Sequence, residues 1–335
     1  MKTKEIIVEN TPVIEGLRFR TFAEKPDYPK MLEILEKNAD ADDDDFASTL
    51  EDLEHDYSHL TNSDPYKDMI LAEVNGETVA YGRVSWHQID KTKNRIYSQF
   101  IKIVPKWRNM GIEQAMMGWN EQHLMAIAAE HPKDGKRFYQ SYSLENKDKF
   151  NAILNAMGYR PNRYFFEMDR PLDTIAEATL PKGIEVRPAK KEDYRKIWDA
   201  SIDAFRDHWG FSEPEEEDYI SYSTSRYFQP DLWQVAWDGN EVVASVLNYI
   251  DEEYNKKFNK KCGWTEEIST RREWRRRGIA KALILRSMKM HKELGMTSVA
   301  LGVDTENPNG ALQLYEGLGY KKKRTMITFR KEITA

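Results

Sequence analysis

The chain has 335 residues with 50 Lys and Arg against 56 Asp and Glu, a net charge of −6. That length can bury two ordinary cores, and the acidic balance argues against a nucleic-acid partner. A single cysteine, Cys262, excludes an intramolecular disulfide, and no apolar run is long enough for a leader or a membrane span. The sequence therefore predicts a cytoplasmic protein without membrane contact.

Residues 17–22 (LRFRTF) read as a strand, followed by Asp27-Tyr28 and a helix over 31–37. The run 40–45 (DADDDD) reads as an exposed loop, since a calcium loop would space its carboxylates and carry a turn glycine. His55 and His59 stand four apart, but no third residue has ligand-like spacing, so the pair reads as structural and no metal is expected. Residues 69–74, Asn75-Gly76 and 78–86 form a hairpin pattern with a tight turn. A third strand over 97–104 runs into Pro105-Lys106-Trp107-Arg108-Asn109-Met110-Gly111-Ile112 and a helix, with later strands over 138–142 and 163–168.

The pattern then starts again. Residues 184–188 (IEVRP) precede Asp193-Tyr194 and a helix near 196–204, with Asp207-His208-Trp209-Gly210 in the loop beyond it. A hairpin follows over 233–237 and 242–249, then a strand over 264–270 and the turn Trp274-Arg275-Arg276-Arg277-Gly278-Ile279-Ala280-Lys281. Gly16 and Gly183, like Gly111 and Gly278, are 167 positions apart; Leu154 and Tyr315, like Gly158 and Gly319, are 161 apart. A period this long means two copies of a domain. The polar segment 170–183 joins them, giving domains over 1–172 and 183–335 and a linker over 173–182. Each copy mixes a strand meander with helices and late strands at 297–303 and 325–329 in the second, which predicts an α+β fold with a mixed central sheet flanked by helices.

The turn over 274–281 leaves a strand and opens a helix whose apolar residues Ile279, Ala282, Leu283, Met290 and Leu294 keep helical spacing up to Gly295. The first amides of a helix lack intrahelical partners and carry the positive end of its dipole, so this is an anion site with three arginines around it. The spacing Arg275-x-x-Gly278-x-Ala280 resembles the pyrophosphate loop of the GNAT superfamily of N-acetyltransferases. Residues 307–320 (NPNGALQLYEGLGY) are similar to that family's segment N-x-x-A-x-x-L-Y-x-x-x-G-F. The resemblance covers nearly the whole chain as a tandem pair of GNAT domains.

What it implies is acetyl-CoA as acetyl donor, with Arg275, Arg276, Arg277, Gly278, Ile279, Ala280 and Lys281 at its pyrophosphate and the backbones of Ile268 and Thr270 along its pantetheine. It implies Tyr315 as the acid that protonates the departing thiolate. The family's asparagine position falls on Pro308, so Asn307 or Asn309 is left to reach the cofactor, with Asn307 favoured. An attacking amine must lose a proton. Glu266 shares strand parity with Ile268 and Thr270 and is the expected base, with Glu267 or a water chain as the alternative. The 207–210 loop lies where the family builds its acceptor wall, and Trp209 reads chiefly as packing.

The first copy departs from this pattern. Glu113 stands where Ala280 stands in the second, putting a carboxylate at the anion site, and Leu154 replaces Tyr315. The expectation is a degenerate N-terminal domain and a C-terminal domain that acetylates a primary amine of a small molecule by direct attack, in a monomer or homodimer. The rival readings are a non-catalytic acyl-CoA-binding scaffold and transfer of a longer acyl group.

Overall fold

The computed structural model describes residues 3–42, 45 and 47–334. It divides into two compact units, Met1–Asn162 with Ile327–Ala335, and Arg163–Met326.

In the first unit β1 (Glu5–Ile6), β2 (Leu17–Arg20), α1 (Tyr28–Asp42), α2 (Leu50–Ser58) and α3 (Pro65–Asp68) precede the meander of β3 (Met69–Val74), β4 (Glu77–Gln88) and β5 (Arg95–Ile103). Asn75 and Gly76 both take positive φ, 51° and 85°, so β3 and β4 are joined by the tight turn their sequence predicts. After α4 (Ile112–Ala129), β6 (Arg137–Leu144) runs parallel to β5, and α5 (Asp148–Ala156) follows. Residues 327–332 complete this unit, where Phe329 is buried with Tyr97, Tyr139 and Tyr159.

The second unit opens with most of β7 (Arg160–Pro171), then β8 (Ile184–Arg187), α6 (Tyr194–Phe205) and α7 (Glu216–Thr224). Its meander is β9 (Gln234–Asp238), β10 (Glu241–Tyr249) and β11 (Cys262–Thr270), with α8 (Glu252–Lys257) between the last two. Then come α9 (Ile279–Glu293), β12 (Ser298–Asp304), α10 (Ala311–Gly317) and β13 (Lys321–Glu332), whose end belongs to the first unit. The strand order is β7-β12-β11-β10-β9-β8, with β11 and β12 parallel and the other pairs antiparallel. This is the mixed α+β sheet that the sequence predicts. One face packs on α9, which buries Ile279, Leu283, Leu285 and Met288 against Ala244, Val246, Val299 and Leu301. The other packs on α6, where Ile197 meets Trp233, Val235 and Leu247.

The compact units do not coincide with the sequence copies 1–172 and 183–335. β7, the last strand of the first copy, pairs along residues 165–171 with β12, and Arg163 grips Asp304 with two hydrogen bonds of 2.9 and 2.8 Å. Residues 173–182 are also not a free tether. Ile175 and Ala178 pack on the α9 core, and Glu177 pairs with Lys289 of α9 at 2.7 Å. Within the acidic run, residues 40–42 finish α1 and Asp42 is tied to Arg108 at 2.7 Å, which removes it from the exposed loop expected of it; Asp43 and Asp44 lie outside the described residues. Leu294, expected on the apolar stripe of α9, is 48% exposed because the helix has already ended at Glu293. No helix among the described residues is long and apolar enough to cross a membrane.

Candidate functional site

The turn that opens α9 is built by two left-handed residues, Arg276 at φ 62° and Gly278 at φ 81°. They turn the backbone back so that the amides of residues 276–281 have no hydrogen-bond acceptor among the described residues; the first helical bond is Ala282 N–H to the Gly278 carbonyl, 3.1 Å. A Cβ placed on Gly278 would meet nothing within 4 Å, so the turn is open on the side where an anion would approach. Arg276, Arg277 and Lys281 are exposed around it and make no ion pair among the described residues. Unbonded amides at a helix N-terminus ringed by free cations fit a pyrophosphate.

Arg275 is different from its neighbours. Its guanidinium donates to the Thr270 carbonyl (3.0 Å), the Ala204 carbonyl (2.9 Å), the Asp207 carboxylate (2.9 Å) and the Asn309 side-chain oxygen (3.3 Å). It therefore ties the end of β11 and the end of α6 to the loop before α10, and it holds the turn rather than presenting itself at the turn's open side. Asp207 is the centre of this clamp, since it also takes two hydrogen bonds from Arg272 at 2.7 and 2.6 Å. Trp209 lies tilted against Phe165, with ring centroids 6.3 Å apart, and under the Arg163 guanidinium. The 207–210 loop thus serves largely as framework. Of the two asparagines, Asn309 touches Arg275, whereas the Asn307 side-chain oxygen accepts from the Asn309 amide at 2.9 Å and closes a turn.

Strand β11 carries a bulge. Ser245 faces Ser269 and Leu247 faces Glu266, so two residues, Glu267 and Ile268, oppose one on β10. Glu267 takes φ 45°, as the extra residue of a bulge does. The bulge breaks the parity expected for this strand. Thr270 lies opposite Ala244 on the α9 side and Ile268 packs against that core, while Glu266 lies opposite Leu247 on the α6 side. Beyond Trp264 and Ala300 the parallel ladder between β11 and β12 stops, and the strands splay. Into that splay Glu266 extends its carboxylate, which accepts from the Gly302 amide at 2.9 Å. Protein surrounds it on most sides, and this desolvation, with the neighbouring Glu267 charge second, pushes its pKa up to about 8.

Tyr315 approaches the same splay from the α9 side. It is buried in the α9 core with its ring edge-on to Tyr320, 6.0 Å away. Tyr320 spends its hydroxyl on Thr265 at 2.8 Å, whereas the Tyr315 hydroxyl has no hydrogen-bond partner among the described residues. Burial first, and the Glu266 charge next, hold the Tyr315 phenol well above its ordinary range. A carboxyl near neutrality and a firmly protonated phenol thus reach one splay from opposite faces of the sheet.

The first unit has the same turn and none of its openness. Asn109 and Gly111 repeat the two left-handed positions, at φ 61° and 92°. Here the Glu113 carboxylate folds back and accepts from the Asn109 amide at 2.9 Å, buried to 3% exposure. The N-terminal segment lies over it, so that a Cβ on Gly111 would meet Pro12 at 3.1 Å. Arg108 occupies the clamp position against Asp42, as Arg275 does against Asp207. Strand β5 pairs with β4 without interruption from Arg95 to Ile103 and has no bulge, and Leu154 is fully buried where Tyr315 stands in the other unit. The sequence showed Glu113 and Leu154; the missing bulge and the covering segment it did not show. The His55 and His59 rings lie tilted against each other with centroids 4.7 Å apart, and no group of three metal-binding side chains forms among the described residues.

Three comparisons bear on this geometry. Residues 194–320 match the Acetyltransferase (GNAT) family. A curated mycothiol acetyltransferase from Pseudarthrobacter chlorophenolicus is 23% identical over 226 residues, and the alignment spans 66% of each chain, just under two thirds of that relative. Among solved structures, a GCN5-related N-acetyltransferase from Sphaerobacter thermophilus superposes with a TM-score of 0.74 at 24% identity, covering 96% of this chain and 97% of that one. A tandem GNAT protein from the clavulanic acid biosynthesis pathway superposes with a TM-score of 0.64 at 14% identity, covering 95% and 99%. These two likenesses are of fold.

Proposed function

From the match of residues 194–320 to the Acetyltransferase (GNAT) family, we propose that the chain is an acetyl-CoA-dependent N-acetyltransferase whose second unit acetylates a primary amine of a small molecule. The observation that carries this reading is the contrast between two equivalent turns: the one at Gly278 is open and ringed by cations, and the one at Gly111 is filled by Glu113 and covered by Pro12.

In this reading the amides of residues 276–281, with Arg276, Arg277 and Lys281, hold the pyrophosphate, and Arg275 keeps the turn in shape. The β12-facing edge of Ile268 and Thr270, left without a neighbouring strand by the splay, takes the pantetheine as a further strand would. Asn309 is the asparagine on the cofactor side. The acceptor's ammonium gives one proton to the Glu266 carboxylate and the neutral amine attacks the acetyl carbonyl, so that a C–N bond forms as the C–S bond breaks; the nitrogen's second proton replaces the one that Tyr315 gives to the thiolate. Backbone amides beside the bulge polarise that carbonyl. Tyr315 supplies the proton for the departing thiolate, and its raised pKa keeps that proton in place until it is needed.

Tyr315→Phe tests the assignment. Turnover is expected to fall on the order of 10²-fold or more, with acetyl-CoA binding retained because the phenol lies away from the pyrophosphate turn. Unchanged turnover would remove Tyr315 as the acid. Two rivals remain distinct in their outcomes: a non-catalytic acyl-CoA-binding scaffold gives binding without turnover of any amine, and transfer of a longer acyl group gives higher kcat/KM with longer acyl-CoA donors.

A further inference from the structure

On the α6 side of the sheet a row of β11 side chains leads away from Glu266. Along β11 the side chains of Cys262, Trp264 and Glu266 alternate onto that side. Across the ladder Ser298 and Ala300 of β12 pair with Cys262 and Trp264, and Asp169 of β7 pairs with Ala300. At the Cys262 end of that row lies a cavity of about 620 Å³, lined by Asp169, Cys262 and Ser298 together with Lys260, Lys261 and Lys323. Three ammonium groups against the Asp169 and Glu167 carboxylates leave that end with one positive charge in excess. Lys323 is held at 2.9 Å by Glu167, and Lys260 by the Tyr254 hydroxyl at 3.1 Å. Lys261 is exposed, and its ammonium makes no hydrogen bond or ion pair among the described residues.

Between the two charged ends the wall is aromatic. Trp264 lies parallel to Tyr249 with centroids 5.9 Å apart and meets Tyr254 edge-on at 6.0 Å. Three residues of strand lie between Cys262 and Glu266, and the four steps span about 13 Å. Along this face of β11 the order is thus carboxylate, aromatic wall, cation cluster.

We propose that the acceptor is a bipolar amine. Its ammonium pairs with Glu266, its hydrocarbon or ring portion lies on Trp264 and Tyr249, and an anionic group, carboxylate or phosphate, reaches Lys261 with Lys260 and Lys323 about 13 Å away. The inference rests on the reading of the second unit as an amine acetyltransferase and adds the chemical class of its acceptor. Lys261 is a specificity residue here, remote from the reacting atoms.

The test is a set of initial rates with acetyl-CoA and three acceptor series of increasing chain length: ω-amino carboxylates, ω-aminoalkyl phosphates and plain alkylamines. Wild type is compared with Lys261→Glu and Lys261→Arg, each checked for an unchanged melting temperature. For at least one anionic series kcat/KM is expected to exceed that of the alkylamine of equal length by about tenfold, chiefly through KM. Which series gains identifies the anion. Lys261→Glu is expected to erase the gain and leave the alkylamine rates unchanged, while Lys261→Arg keeps it. Equal rates for anionic and neutral amines, or a preference that survives Lys261→Glu, would overturn the proposal and leave amine acetylation standing. Binding of acetyl-CoA without acetylation of any amine would overturn the underlying reading instead.

Discussion

Glu266 shows how one residue's chemistry follows from its seat. A strand glutamate in water ionises near pH 4.5, but in the splay between β11 and β12 burial and the adjacent Glu267 carry it to about 8. At neutral pH it is largely protonated, and only the ionised form can take the amine's proton. Rising pH therefore increases the active fraction, so kcat/KM is expected to climb to a shoulder near pH 8. Glu266→Gln should lower the rate on the order of 10²-fold or more and remove the shoulder. A profile through pH 8 unaltered by Glu266→Gln would assign the base elsewhere. The sequence reached Glu266 by strand parity with Ile268 and Thr270, and that premise fails because the bulge puts Thr270 on the other face. Arg275 carries a similar lesson. Its spacing to Gly278 is legible, but that its guanidinium is spent on Thr270, Ala204, Asp207 and Asn309 depends on residues as far as 71 positions away.

Elements were legible where a local signal fixes them. The Asn75-Gly76 turn sets its hairpin, and Gly295, at φ 83°, follows the last residues of α9 as a terminating glycine should. The bulge has no such signal, since it is one surplus residue in β11 that becomes visible only against the pairing of β10. Strand β5, which pairs without interruption, is the natural control. Deleting Glu267 should convert β11 into a strand of that regular kind, keep Glu266 opposite Leu247, and close the splay into which its carboxylate extends. The expected result is a folded protein whose melting temperature shifts by only a few degrees and whose amine acetylation is lost. Retained acetylation by the deletion variant would mean that the bulge does not shape the site.

At the scale of the whole molecule the repeat was plain and its consequences were not. Spacings of 167 and 161 positions reveal two copies, yet no local feature tells that β7 pairs with β12 or that residues 327–335 finish the first unit. That is a matter of long-range strand pairing. The N-terminal residues likewise gave no sign that Pro12 would lie against Gly111, and only the structure shows that the first unit's turn is both filled by Glu113 and covered. Of the two equivalent turns, the one at Gly278 is expected to hold the acetyl donor. Calorimetric titration with acetyl-CoA measures it directly, with wild type beside Ala280→Glu, which gives the second turn the carboxylate of the first. One site per chain is expected, weakened on the order of 100-fold in the variant by a competing charge at the pyrophosphate amides. Two sites per chain, or binding indifferent to Ala280→Glu, would contradict it.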